Sequence, residues 1–236
     1  DGKAKNYADF FAEEFIHVFN GIGCTPELIN ASDLYTSGKM NEGVKLCLDK
    51  AGVIRKIYEK LYKKKIADDW FPFQPVCPKC GKEATTKVNA WDGENISFVC
   101  NPDGVKYTSG CGYSGKASPF SGAGKYVGKI PWKIEWAVKW QAIGVTVEGA
   151  GKDHMVDGGS HDVAKDVCGK VLKYPVPYPL SYEFFLLGGK KMSSSKGLGT
   201  SAKEISEILP PYLLRFLFTR TDYHRSIEFN PIETVT

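Results

Sequence analysis

The chain has 236 residues, 42% of them apolar and 25% charged, with 31 basic against 27 acidic side chains and a formal charge of +4. This length and balance describe a folded protein of one large or two modest domains and exclude a disordered chain. No segment approaches the roughly 20 apolar residues of a membrane span and the start lacks the apolar core of a signal peptide, so a cytoplasmic protein with no membrane partner is expected. Apolar residues at helical spacing (Phe10, Phe11, Phe15, Ile16, Phe19) predict a helix from about Tyr7 to Asn20, ended by Gly21 and Gly23. A short strand at Glu27–Ala31 and a long helix over Asn41–Lys65 follow, the latter lined by Val44, Leu48, Ile54, Ile57 and Leu61 and weakened locally by Gly43 and Gly52. Its tail, Lys60 to Lys65, is basic and reads as a surface tail favoured by the helix dipole, with RNA contact as the lesser alternative.

Pro72, Pro75 and Pro78 mark a boundary, after which the texture changes to short alternating runs. Ala84–Val88 and Asn95–Val99 read as strands joined through a turn at Asp92-Gly93, and a third strand is expected around Tyr113. Beyond Gly122 strands and helices alternate: a strand at Val145–Glu148, a helix at His161–Val171, a strand at Leu180–Leu187, and helices at Thr200–Leu209 and Tyr212–Arg220. Ser201 and Glu204 fit a capping box for the fourth of these. Such alternation implies a mainly parallel sheet covered on both sides, with the carboxyl ends of the Val145 and Leu180 strands on one edge.

Seven cysteines are present. Cys24, Cys47 and Cys168 read as small buried hydrophobes. Cys77-Pro-Lys-Cys80, with Cys100 and Cys111, supplies four thiolates for tetrahedral zinc, with a hairpin between the pairs and a loop at residues 101–110 that must bulge out. All-cysteine ligation leaves no open position, so the metal is expected to be structural, with iron as the alternative occupant.

Lys190-Lys191-Met192-Ser193-Ser194-Ser195-Lys196-Gly197 lies between a strand that runs out through Gly188-Gly189 and a helix start. Ammonium groups bracketing hydroxyls beside flexible glycines suit a polyphosphate, whose transition-state charge such groups stabilise. Gly149-Ala-Gly151-Lys-Asp153-His154 follows a strand and offers small residues, a carboxylate for a ribose hydroxyl, and an imidazole. His161 and Asp162 read as capping and surface groups, with a nucleotide-side role for His161 as the lesser alternative. Trp132, Trp136 and Trp140 lie four apart and read as the buried stripe of an amphipathic helix, with an aromatic wall for a substrate as the sharper alternative. Of Tyr182 and Glu183, one is expected to pack and the other to face a site.

Lys191-Met-Ser-Ser-Ser195 with Lys196-Gly197 resembles the second signature loop of class I aminoacyl-tRNA synthetases, usually written KMSKS. With Gly151-Lys-Asp153-His154, Trp132-Lys-Ile-Glu-Trp136-Ala-Val-Lys-Trp140 and Ser181-Tyr182-Glu183-Phe184, the chain is most similar to the class I lysyl-tRNA synthetases, and the likeness covers most of the sequence in order. The resemblance implies the second half of a Rossmann-like nucleotide-binding fold at 123–236, a zinc-ribbon insertion at 72–122 and a helical, α/β connective segment at 1–71. It implies formation of lysyl-adenylate from lysine and ATP, with Mg2+, and transfer to tRNA(Lys).

On that likeness Lys191, Lys196, Ser193 and Ser195 would be catalytic, holding the ATP phosphates. Asp153, Gly151, Met192 and Ser194 would bind the nucleotide, and Trp136, His154 and Tyr182 would line the lysine pocket, where an ammonium suits an aromatic face. Ser194 stands where the family loop usually has Lys, a charge that Lys196 would carry in part. The first signature of the class, His-x-Gly-His, does not occur in this sequence. The chain is therefore expected to be the middle of a synthetase, inactive alone, with half of the nucleotide fold before Asp1 and an anticodon-binding domain after Thr236. The competing readings are a glutamyl- or cysteinyl-type synthetase, and a noncatalytic zinc-ribbon protein binding nucleic acid through Lys87, Lys106 and Lys116, which would weaken steeply with salt.

Overall fold

In a computed structural model of the chain, the structure describes residues 7–192 and 199–230. The first helix, α1 (Tyr7–Gly21), forms where its apolar spacing predicts it. Residues 24–30 carry no regular structure, and the strand expected at Glu27–Ala31 is replaced by the start of a short helix, α2 (Ala31–Thr36). Its local sequence decides this: Asn30 takes an extended cap conformation and its side-chain amide reaches Asp33 one turn on.

The long helix expected at 41–65 is two helices, α3 (Asn41–Asp49) and α4 (Ala51–Tyr62). The break falls at Lys50, whose backbone leaves helical geometry and whose ammonium donates to the Val171 carbonyl. Bending there lets both halves bury an apolar face, Val44, Cys47 and Leu48 on one, Ile54 and Ile57 on the other. After β1 (Gln74–Pro75) come β2 (Thr86–Trp91), β3 (Ile96–Cys100) and β4 (Ser114–Ala117), an antiparallel sheet in the order β2-β3-β4. The turn at Asp92 is as expected: its carboxylate accepts from the N–H groups of Glu94 and Asn95.

Next are β5 (Gly128–Lys129), which pairs with β1, and α5 (Trp132–Ile143). β6 (Val147–Gly151) runs into the single turn α6 (Lys152–Met155) and then α7 (Ser160–Val167), extended by a π-turn over Cys168–Leu172. β7 (Tyr178–Tyr182) pairs with β6. The strand expected at Leu180–Leu187 is divided, because the backbone changes partners at Glu183. Glu183 N–H goes to the Tyr223 carbonyl, and β8 (Phe185–Leu187) runs parallel to β10 (Ile227–Phe229). β9 (Lys190–Lys191) turns back on β8, and α8 (Ala202–Ile208) and α9 (Pro211–Arg220) precede β10. The capping box is present, with Ser201 Oγ accepting from Glu204 N–H and the Glu204 carboxylate accepting from Ser201 N–H. The described strands thus form four small sheets and not the one mainly parallel sheet expected.

The chain divides into two compact units. One comprises Asp1–Leu28, Gly149–Lys152 and Ser181–Thr236, with a small core of Ile205, Leu214 and Phe229. The larger comprises Ile29–Glu148 and Asp153–Leu180, and one core runs through it from α3, α4, α5 and α7 to Val88, Ile96 and Phe98 of the β2-β3-β4 sheet. Cys47 and Cys168 are buried as expected, whereas Cys24 is exposed, in the irregular stretch after α1. No described helix is long and apolar enough to cross a membrane.

Candidate functional site

Three constellations carry chemistry, and each sits within one unit. The first is the cysteine cluster at the base of the β2-β3-β4 sheet. The ligand atoms of Cys77, Cys80, Cys100 and Cys111 lie within 4.8 Å of one another, with Cys77 Sγ 3.6 Å from Cys111 Sγ and Cys80 Sγ 3.7 Å from Cys100 Sγ. Four sulfurs at about 2.3 Å from a tetrahedral ion stand about 3.8 Å apart, so this donor set could hold a metal ion without rearrangement. Residues 101–110 bulge out between Cys100 and Cys111, tied back by the Gly110 N–H to the Asn101 carbonyl and by a bridge between Val105 and Thr108.

Within the thiol cluster one group ionises first: burial opposes ionisation of Cys100, but the Thr85 hydroxyl, the Cys111 N–H and the neighbouring thiols outweigh it and bring it down to about 7, while the same thiols push Cys80 up to about 11. A thiolate that forms near neutrality is what a metal ligand requires. On the same sheet, Lys116 is paired with Asp92 at 2.6 Å, and Lys87 with Asp69 at 2.8 Å. Those two lysines, expected to serve a nucleic-acid face on the zinc-ribbon reading, already have carboxylate partners.

The second constellation lies in the larger unit on α5. The three tryptophans differ sharply: Trp140 is buried, Trp136 half-buried and Trp132 is 52% exposed. A single buried stripe is therefore replaced by a gradient from core to surface. The Trp136 indole N–H donates to Glu148 Oε1 at 2.7 Å, and its ring lies 6.0 Å from both His154 and His161, edge-on to each. Trp132 also meets His154, at 5.8 Å. His161 is 7% exposed and packs against Trp136 and Trp140, so the expectation of a capping or surface group fails for it. Burial, with help from Lys165, holds its pKa down, and its Nε2 has no hydrogen-bond partner among the described residues.

Asp162, by contrast, accepts from the Gly158 N–H ahead of α7, as a capping group does. Asp153 and His154 are exposed on the turn that follows β6. Glu148 is the residue that the sequence reading missed; its signal was its place at the end of the expected strand, one residue before the glycine run.

The third constellation belongs to the smaller unit. Gly188 and Gly189 both take positive φ, 54° and 73°, and close a two-residue hairpin between β8 and β9 of the kind that only glycine-like residues form without strain. Lys191 therefore sits on the returning strand and not in an open loop, with its ammonium 3.9 Å from the centroid of Phe184. Lys152 lies 4.7 Å from the same ring and is paired with Glu183 at 2.6 Å, an interaction that holds the Glu183 carboxyl below its ordinary range. Glu183 is thus the packed member of its pair with Tyr182, whose side chain is 47% exposed. Met192 contributes to an apolar cavity of about 380 Å3 with Phe185, Ile205 and Leu214 among its walls. Ser193, Ser194, Ser195 and Lys196 lie outside the described residues.

By comparison with known proteins, the class to which this sequence conforms is the class I tRNA synthetases. All 236 residues match the profile of one family of that class, described as tRNA synthetases class I (K), and the chain belongs to that family. It is 38% identical over 233 residues to a lysine--tRNA ligase of Methanosarcina barkeri (strain Fusaro / DSM 804), covering 98% of this chain and 41% of that protein. The corresponding protein of Thermoplasma acidophilum is 36% identical over 229 residues (97% of this chain, 43% of that one), and that of Archaeoglobus fulgidus 31% over 232 (98% and 44%). The chain thus spans about two fifths of the length of these relatives.

Proposed function

We propose that this chain carries part of the site at which free lysine is activated by ATP and transferred to tRNA(Lys). In the activating step the lysine carboxylate attacks the α-phosphorus of Mg-ATP, forming the acyl-phosphate bond of lysyl-adenylate as the bond to pyrophosphate breaks. The terminal ribose hydroxyl of the tRNA then takes the lysyl group and releases AMP. The observation that carries this reading is the half-buried Trp136, held by the Glu148 carboxylate and flanked by His154. An alkylammonium against an indole face gains about 0.5–2 kcal/mol, and a carboxylate beside that indole favours a cation over a neutral or anionic side chain.

We assign Trp136, His154 and Tyr182 to the amino acid, and Asp153 and Gly151 to the nucleotide ribose. Lys191, Lys196 and the hydroxyls of Ser193, Ser194 and Ser195 take the phosphates, next to Met192. The finer architecture we propose is a zinc ribbon at 72–122 set between a connective segment, 1–71, and the second half of a Rossmann-like fold, 123–236. Zinc held by Cys77, Cys80, Cys100 and Cys111 would stabilise the β2-β3-β4 sheet, and takes no part in the reaction.

The test is calorimetric titration of the 236-residue chain with L-lysine, L-glutamate and L-cysteine. Binding of L-lysine alone, lost in Trp136→Ala, supports the reading; equal binding of L-glutamate defeats it. Lysine-dependent ATP–pyrophosphate exchange by the same chain is expected to be absent, because the sequence holds no His-x-Gly-His element.

A further inference from the structure

Two buried side-chain atoms of the larger unit have no hydrogen-bond partner among the described residues, Trp140 Nε1 and His161 Nε2, and their rings lie 5.7 Å apart. Such groups are rare in a folded core, because each has given up water without gaining a partner. An apolar side chain at position 161 would avoid that cost. His161 instead sets a titratable ring against Trp136.

That indole is met by two imidazoles, each 6.0 Å away: His154, which is exposed, and His161, which is buried. The turn between them is fixed at Gly159, whose N–H donates to the Val156 carbonyl. A Cβ there would stand 2.6 Å from that oxygen and 2.7 Å from the His154 carbonyl, so only glycine passes. α7 begins at the next residue, and the tight turn thereby brings the buried imidazole to the ring that the exposed one also reaches.

Burial first, and then the Lys165 ammonium, keep His161 uncharged, while Asp162 and Glu148 pull the other way. Asp162 is on the same helix and already holds Lys165, at 2.8 Å, and the Gly158 N–H. α5 brings the two indoles, and α4, which also packs on α7, brings none of the charges that act on the ring. Glu148 of β6 is therefore the carboxylate from outside α7 that a proton on His161 would attract, and it is the one that holds the Trp136 indole at 2.7 Å.

We propose that His161 is a positioning residue that works through its charge: neutral, it packs against Trp136 and leaves Glu148 to the indole; protonated, it draws Glu148 away, so the pocket for a cationic amino acid loosens as pH falls. The proposal rests on the pocket proposed above. The proton also adds a charge of the same sign as the incoming ammonium. Like charges about 8–10 Å apart, at an effective dielectric of about 20–40, weaken binding roughly 4- to 30-fold.

The experiment is calorimetric titration of the 236-residue chain with L-lysine from about pH 8 down to about pH 5, with the Trp136 indole N–H resonance followed by NMR over the same range. Loss of the resonance in Trp136→Phe assigns it. In the unaltered chain L-lysine affinity is expected to fall about tenfold, and the resonance to move with the same midpoint, below about 6.5. In His161→Phe the fall is expected to be about twofold or less whatever the starting affinity, the remainder belonging to His154. His161→Gln, neutral and without a ring, makes the same comparison where a phenyl ring does not fit.

An equal fall in both variants, or a Trp136 resonance that stays in place across this range in the unaltered chain, overturns the proposal. Absence of L-lysine binding at every pH defeats the pocket instead. A resonance that then moves in the unaltered chain and stands still in both variants leaves the link from His161 to Trp136 standing.

Discussion

Gly43 and Gly52 are both helical glycines, and helix propensity alone gives Gly→Ala at each a gain, about 1 kcal/mol in a helix interior and less in the first turn. The structure separates them. At Gly52, in the first turn of α4, a Cβ would meet only the guanidinium of Arg55, in ordinary contact at 3.6 Å. At Gly43, in α3, it would run into Val138 Cγ1, and Val138 Cβ and Cγ2 would each stand 3.2 Å away. Because Val138 Cβ itself would stand within that distance, turning the valine about χ1 does not relieve the contact, and the two helices must part. Overpacking of this kind costs about 1–3 kcal/mol, which outweighs the propensity gain.

Gly43→Ala should therefore destabilise by up to about 2 kcal/mol net, lowering the melting temperature by up to roughly 8 °C at this size, while Gly52→Ala should raise it slightly. Circular dichroism melts of both variants check the sign. A second arm isolates the cause: in a Val138→Ala background the clash is gone, so adding Gly43→Ala should become neutral or stabilising. If Gly43→Ala melts no lower than the unaltered chain, or loses as much stability in the Val138→Ala background, the close approach of α3 and α5 is not what glycine serves at this position.

Metal removal and replacement test the cysteine cluster. Treating the chain with a strong chelator, or making Cys100→Ser, should abolish hydrogen-exchange protection across 77–117 while α3, α5 and α7 stay protected, as mass spectrometry of exchanged peptides would report. Glu148→Gln keeps an acceptor for the Trp136 indole but removes the charge; L-lysine affinity should drop about tenfold with the tryptophan emission maximum unmoved, and unchanged affinity would remove Glu148 from the pocket. His161 gives a pH signature. Its native pKa is held below that of the unfolded chain, so the unfolded state takes up a proton first as pH falls, and stability is full above about 6.5 and lost progressively below it. The group's surroundings are Trp136 and Trp140, with Lys165, Asp162 and Glu148 acting through charge. His161→Phe should flatten the acid limb of a plot of melting temperature against pH; an acid limb of the same depth would assign it to other groups.

What could be read from the sequence was what short segments settle by themselves. The capping box at Ser201 and Glu204, the turn at Asp92 and the turn at Gly188 and Gly189 each depend on residues a few positions apart. They form as their local chemistry dictates. The break at Lys50, the exposure of Cys24 and the burial of His161 were not legible, because each is decided by what packs against the segment and not by the segment. Gly43 is the sharpest case: its reason is a valine 95 positions away.

The contact between Trp136 and Glu148 lies between these extremes, and it could have been computed. Gly144 caps α5 with φ of 81° and its N–H bonded to the Trp140 carbonyl, which ends the helix and turns the chain. Eight residues of helix from Trp136 to Gly144 rise about 12 Å. From Gly144 the chain passes a bend at Thr146 into β6, and the four residues to Glu148 return at most about 13 Å. A helix and a strand that reverse at Gly144 therefore bring those two residues level, and the side-chain periods decide whether they face each other. The indole and the carboxylate do, at 2.7 Å. The stretch Trp136–Glu148 is thus a self-contained device that sets a carboxylate beside an aromatic face, and lengthening it by one residue on either side of Gly144 should separate the pair without unfolding the helix. An alanine inserted after Gly144 turns the Glu148 side chain to the opposite face of its strand, so L-lysine binding should be lost while the helical signal is retained.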